Sequence, residues 1–257
     1  MQSDDPLTIW HRKFYRPGGG NAFLLYAAFG DFDLTCKVDA EKYRTSGLPD
    51  GVEIRAYNRE QHQAYISSMY DGWIGNYLRR TSPALYEAVD SAPGCLMLRG
   101  EIADPDSLLY LRNTIGLLTA LLEANDTAAI LDMQALAWHS RQEWHDKIFA
   151  PDQPLPRNHA IILFSEEEDG NGLWIHTRGM RKFGRPDVSM RHVAPEDKDK
   201  YIDLCNRFIE MMAFGEVVVE GQAIKVAGVP LGLTCHYQGN LDDPIFNNVY
   251  IDVKRTG

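Results

Sequence analysis

The sequence predicts an α+β protein with mixed, mostly antiparallel sheets and packed helices. Three observations lead there. Short apolar runs are bounded by Gly, Asn and Asp turns, helical stripes fall irregularly between them, and the late strands are joined as hairpins. The two halves share a loose strand–helix–strand rhythm. The chain therefore reads as an N-terminal arm (residues 1–20) and two pseudo-duplicated α+β halves (21–150 and 151–257), or the same halves in one continuous domain.

Residues 1–20 are polar and bear Pro and Gly, as expected of a loosely held arm tacked down by Trp10, Phe14 and Tyr15. The triplet Gly18-Gly19-Gly20 lacks the Lys-Ser/Thr of a phosphate loop and leads into a strand, so it reads as a flexible linker. AFLLYAAF is that strand, with DFDLTCKVD as its hairpin partner. Asn58 opens a helix, with Gln61 as a capping-box partner. Ile66, Tyr70, Trp73 or Ile74, and Tyr77 continue one apolar stripe. Ser82-Pro83 starts a second short helix, and CLMLRGEI is a strand. Asp104-Pro105 reads as a cap and first helical position for an all-round apolar helix ending near Asn125. AAILDM completes a β-α-β unit.

An amphipathic helical piece spans Arg141 to Phe149, and the breaker run APDQPLPRN marks the boundary between halves. HAIILFS and GLWIHTR form a hairpin across the acidic turn EEEDGNG, followed by the strand VSMRHV. Acids after Pro195 suit the positive end of a helix whose stripe is Tyr201, Leu204, Cys205, Phe208, Ile209 and Met212, and Gly215 ends it. VVVEGQAIKV reads as a hairpin, and LGLTCHYQ and NVYIDVK as the closing strands.

The 257 residues are 44% hydrophobic and 11% aromatic, which suits a globular chain with ample core. A net charge of −10 argues against a general nucleic-acid binder. No run approaches the ~18 apolar residues of a membrane span, and the first residues do not form a signal peptide. Four scattered cysteines without a CxxC suggest reduced, buried thiols and a cytoplasmic setting.

The richest stretch is Leu173–Val193. Alternation puts Trp174, His176 and Arg178 on one strand face, and Val188, Met190 and His192 on one face of the next. Pairing of these strands would bring His176 near His192, with Asp187 as orienter: a constellation for acid–base chemistry or for a metal. The bland alternative is two unrelated strand histidines. Arg178, Arg181, Lys182 and Arg185 crowd the connection, and suit an anionic ligand, an acidic partner, or self-pairing with the EEED turn. Gly179, Gly184 and Pro186 account for its backbone without any ligand.

No catalytic set emerges. His139 and His145 are six apart, not on one helical face, and no GxSxG, Walker loop, SxxK, HExxH or GxGxxG is present, so neither a metal nor a cofactor is expected.

Thr177-Arg178-Gly179, Phe183-Gly184 and Pro186-Asp187 resemble the Thr-x-Gly, Phe-Gly-x-Pro-acid signature of uncharacterised bacterial domains. AAILDMQALAWHS is similar to a segment upstream of that signature, and the resemblance spans roughly residues 95–255. It implies a small cytoplasmic bacterial protein with an α+β fold, akin to proteins encoded near secretion or toxin–immunity loci, and supplies no catalytic residues. The leading expectation is a non-enzymatic, immunity-like protein-binding module whose acidity suits a basic partner such as a nuclease toxin. The alternatives are a small-molecule site or enzyme using His176, Arg178 and His192, or a homo-oligomer paired through strand edges.

Overall fold

A computed structural model describes residues 10–225 and 232–255. It has the expected α+β class: among the described residues, six α-helices accompany a five-stranded and a six-stranded sheet, both mostly antiparallel. The chain divides into two compact units. The first is built on Phe23–Ile102 and Ser107–Pro154, and Trp10 belongs to it. The second comprises His11–Ala22, Ala103–Asp106 and the described residues from Leu155 onward.

The first unit holds a sheet ordered β2-β3-β1-β4-β5. β1 (Ala22–Asp31) is central and buried along nearly its whole length, as a continuous apolar run should be. Its flanks are β2 (Val52–Asn58), β3 (Gly94–Ile102), β4 (Asp126–Asp132) and β5 (Ala137–Ser140). The expected hairpin with DFDLTCKVD does not form. Asp33 Oδ1 instead accepts from the backbone N and Oγ1 of Thr35 at 2.8 and 2.7 Å, a local turn that competes with strand pairing. β1 pairs antiparallel with β4, Tyr26 opposite Asp132.

Helices α1 (Arg59–Ser68), α2 (Trp73–Thr81) and α3 (Pro83–Ser91) follow β2 and precede β3. The single apolar stripe expected through Tyr77 is interrupted: α1 ends at Ser68, and Gly72, with φ 78°, precedes a fresh start as α2. Ile66, Tyr70 and Ile74 consequently stay in a core with Phe29, Val89 and Leu131, whereas Trp73 and Tyr77 turn outward. α4 (Leu109–Ala124) is largely buried, and Ser107 Oγ accepts from Leu109 N at its start. β5 was not legible as a strand. It ends in a capping box between Ser140 and Glu143 that opens the short α5 (Arg141–Trp144), which widens into a π-turn through Phe149.

The second unit holds β6 (Ile161–Glu166), β7 (Leu173–Arg178), β8 (Asp187–Val193), β9 (Ala223–Ile224), β10 (Leu233–Gln238) and β11 (Tyr250–Arg255). Their order is β6-β7-β8-β11-β10-β9, and β8 and β11 run parallel. α6 (Lys198–Ala213) buries the expected stripe from Tyr201 to Met212. Of the expected hairpin over residues 217–226, Ala223–Ile224 alone is strand and Val226 lies outside the described residues, as does Leu231.

The expectation of a loosely held arm is corrected for residues 11–20, and residues 1–9 lie outside the described residues. Arg12 has no exposed surface, and the glycine triplet is pinned rather than flexible. Gly19 N donates to Asp104 Oδ2 at 2.9 Å, and Gly20 N to Gly184 O at 3.0 Å.

Candidate functional site

The connection between β7 and β8 is shaped by its glycines. Gly179 (φ 111°) and Gly184 (φ 61°) bracket a 3-10 turn over Met180–Phe183, and both ends need the left-handed region that glycine enters at little cost. Met180 and Phe183, three apart, point into the core.

Asp187 fixes the base of this turn. Fully buried, it accepts from Thr177 Oγ1 (2.9 Å), Met180 N (3.3 Å) and Asn248 Nδ2 (2.8 Å). Thr177 Oγ1 in turn accepts from Val188 N, and Asn248 Nδ2 also donates to Arg185 O. Burial raises the carboxyl to about 6, against the lowering effect of these donors and of Arg178. The carboxylate is thus enclosed by its own loop and beyond the reach of a substrate.

The basic residues are dispersed. Arg185 is buried and donates to Asp104 Oδ1 (2.8 Å) and to the carbonyls of Gly184, Gly215 and Glu216. Lys182 is buried, Arg181 reaches the backbone and side chain of Asn247, and Arg178 is half-buried at the end of β7. In the acidic turn, Glu167 takes Arg191 Nη1 at 2.8 Å.

His176 and His192 are not brought together. In the β7–β8 register His176 faces Ser189, and an irregularity between Leu173 and Ile175 shifts the pairing beyond it. His176 is buried, stacked on Trp174 at 4.0 Å between centroids, with Phe246 edge-on at 5.4 Å. Its Nδ1 is buried without a hydrogen-bond partner. Burial, helped by the charges of Arg178 and Arg191, lowers its pKa to about 4, so the ring is neutral at neutral pH. His192 is exposed, has φ 55°, and lies with Nδ1 3.3 Å from Asn171 O. Asp187 orients neither ring; it is engaged by Thr177, Met180 and Asn248.

Sequence reasoning missed two features. Asp104 is no helix cap: it accepts from Arg12 Nη1 (3.2 Å), Arg185 Nη1 and Gly19 N, while its carbonyl accepts from Tyr15 OH. An Asp-Pro pair looks the same in either role, and Arg12 carries no local signal. The second is Trp73 on α2, 60% exposed, beside Tyr77 (47% exposed), an aromatic that already exceeds obvious core needs in the sequence.

Among the described residues, no group of three or more His, Cys, Asp or Glu side chains is placed to hold a metal ion, and no helix is long and apolar enough to cross a membrane. Cys95, Cys205 and Cys235 are buried, which pushes their thiols up to about 12, 12 and 11. Such thiols are poor nucleophiles. No family model, curated protein or solved structure matches the chain.

Proposed function

We propose that this protein is a non-catalytic protein-binding module of the immunity-like kind, and that α2 presents its contact residues. The observation that carries the proposal is the stripe Trp73, Tyr77 and Arg80, exposed at positions i, i+4 and i+7 of one helix. Trp, Tyr and Arg are the residue types that dominate interface energetics, and this spacing is that of a helix face seated in a partner's apolar groove. On the opposite side Ile74 and Leu78 hold α2 to the core, so the anchors stand on a preorganised element. The net charge of −10 would steer in a partner of basic character, such as a nuclease. The dispersal of His176, Lys182, Arg185 and Asp187 into separate internal roles favours this reading over one in which they form a reaction centre.

The test is site-specific photo-crosslinking in the source cells, with a benzoyl-phenylalanine at position 73 or 77 and, as control, at Lys147. One defined adduct from the α2 positions, absent from the control, is expected. With that partner purified, Trp73→Ala should weaken binding roughly thirtyfold, about 2 kcal/mol. Equal adducts from all positions, or an unchanged affinity in Trp73→Ala, would overturn the proposal.

A further inference from the structure

We propose a second, independent site: a groove in the second unit that binds the oxyanion headgroup of a small molecule, phosphate or carboxylate. It is a cavity of ≈ 390 Å³ at the C-terminal ends of β8 and β11, lined by Arg191, His192, Tyr201, Asp252, Lys254 and Arg255 among others. That volume lies within the roughly 300–1,000 Å³ of small-ligand pockets.

Charge is the first argument. Three cations line this groove, Arg191, Lys254 and Arg255, each beside one carboxylate (Glu167, Asp252 and Asp197), in a chain whose net charge is −10. The cations are only partly engaged. Arg191 spends Nη1 on Glu167 at 2.8 Å and lays its guanidinium over Trp174 at 4.3 Å. Lys254 Nζ stands 3.3 Å from Asp252 Oδ2. Arg255 makes long contacts, Nε to Tyr201 OH at 3.4 Å and Nη2 to Asp197 at 3.9 Å. A fork-shaped guanidinium held from behind, with donors to spare, is the geometry that takes a phosphate or carboxylate.

Position is the second argument. β8 and β11 are parallel while the pairs on either side, β7–β8 and β10–β11, are antiparallel. The groove lies at the carboxyl ends of this one parallel pair.

Backbone strain is the third. His192 lines the groove with φ 55°, a conformation that costs a non-glycine residue on the order of 1 kcal/mol. It is held there by Glu167, which accepts from His192 N at 3.2 Å while gripping Arg191 through its other oxygen. One carboxylate thus sets both the strained backbone and the guanidinium beside it.

The experiment is isothermal titration of the full chain with inorganic phosphate, and in a second arm with malonate, at ionic strength held constant with NaCl. Constant salt removes general screening from the comparison. Saturable binding with a millimolar or tighter Kd is expected, weakened about tenfold by Arg191→Gln and by Lys254→Gln. Lys254 is largely exposed, so its variant should fold normally. Lys147→Gln, in the first unit, should bind as the parent does. Preference for phosphate or malonate identifies the headgroup. Absence of saturable heat in both arms, or equal weakening in the Lys147 control, would overturn the site.

Discussion

Asp104 Oδ1 lies 2.8 Å from Arg185 Nη1 and 3.2 Å from Arg12 Nη1, so one carboxylate oxygen serves two buried guanidiniums. Backbone carbonyls absorb the excess positive charge: Arg12 donates to those of Pro105, Phe183, Met212 and Ala213, and Arg185 to those of Gly184, Gly215 and Glu216. Every one of these groups belongs to the second unit, and they stitch the strap at residues 11–20 to the β7–β8 connection and the end of α6. Asp104→Ala would leave two buried cations without their counter-charge. A loss of about 3–5 kcal/mol is expected, measured as a fall in the urea midpoint at unchanged slope. A loss under 1 kcal/mol would show that the carbonyls alone suffice.

The same junction explains the glycines that the sequence offers as a linker. A Cβ on Gly184 would stand 2.1 Å from Gly20 O, at φ 61°, and one on Gly19 would fall 1.6 Å from Arg185 Nη1. Gly184→Ala should therefore cost more than Gly170→Ala, where a Cβ meets nothing within 4 Å although φ is 73°. The Gly170 variant isolates the backbone term of roughly 1 kcal/mol, and the excess at Gly184 reports close approach. Equal thermal midpoints for the two variants would contradict the packed junction.

Legibility followed the range of the interaction. β7, β8 and α6 could be read because side chains a few residues apart carry the pattern, as in the stripe from Tyr201 to Met212. The Gly179–Pro186 turn was readable for the same reason. Arg12–Asp104 and Arg12–Phe183 join residues 92 and 171 positions apart, and nothing near Arg12 announces its burial. Gly18–Gly20 reads as a flexible hinge until the Gly184 carbonyl is placed against it. The His176–His192 expectation failed on register, which depends on a bulge that alternation cannot reveal. β5 escaped because four residues are too few to show a period, although the Ser140-x-x-Glu143 capping box beside it is a readable signal.

Thiol chemistry separates the cysteines. Cys36 alone of the four is partly exposed, while Cys95, Cys205 and Cys235 are enclosed and their thiols pushed up by burial. Brief iodoacetamide treatment of the native protein at neutral pH should give one adduct, on Cys36, by peptide mass spectrometry. Rapid labelling of Cys235 would mean that β10 opens readily.

His176 offers a spectroscopic check of the aromatic stack. With its folded pKa depressed to about 4, the neutral ring contributes stability that is present above the ordinary value of 6.5 and lost as pH falls through about 4. Its Cε1 proton resonance should hold steady from pH 8 to 5 and move only near 4. A midpoint between 6 and 7 would mean that the ring is solvated and the Trp174 stack open.

Asp187 works in the opposite sense. Its folded pKa is raised from 3.8 to about 6, with burial as the largest cause, so the protonated carboxyl is the form the folded state favours. The corresponding stability is fully present below about pH 4 and lost as pH rises through about 6. A shift of that size is worth about 3 kcal/mol. The other carboxylates of the chain titrate in the same range, so the contribution has to be read as a difference against Asp187→Asn, which keeps the shape and cannot ionise. Between pH 4 and 7 the parent should lose about 3 kcal/mol relative to that variant in urea denaturation. A difference that stays flat, or a parent that gains on the variant, would mean that the donors from Thr177, Met180 and Asn248 outweigh burial and hold the carboxylate ionised throughout.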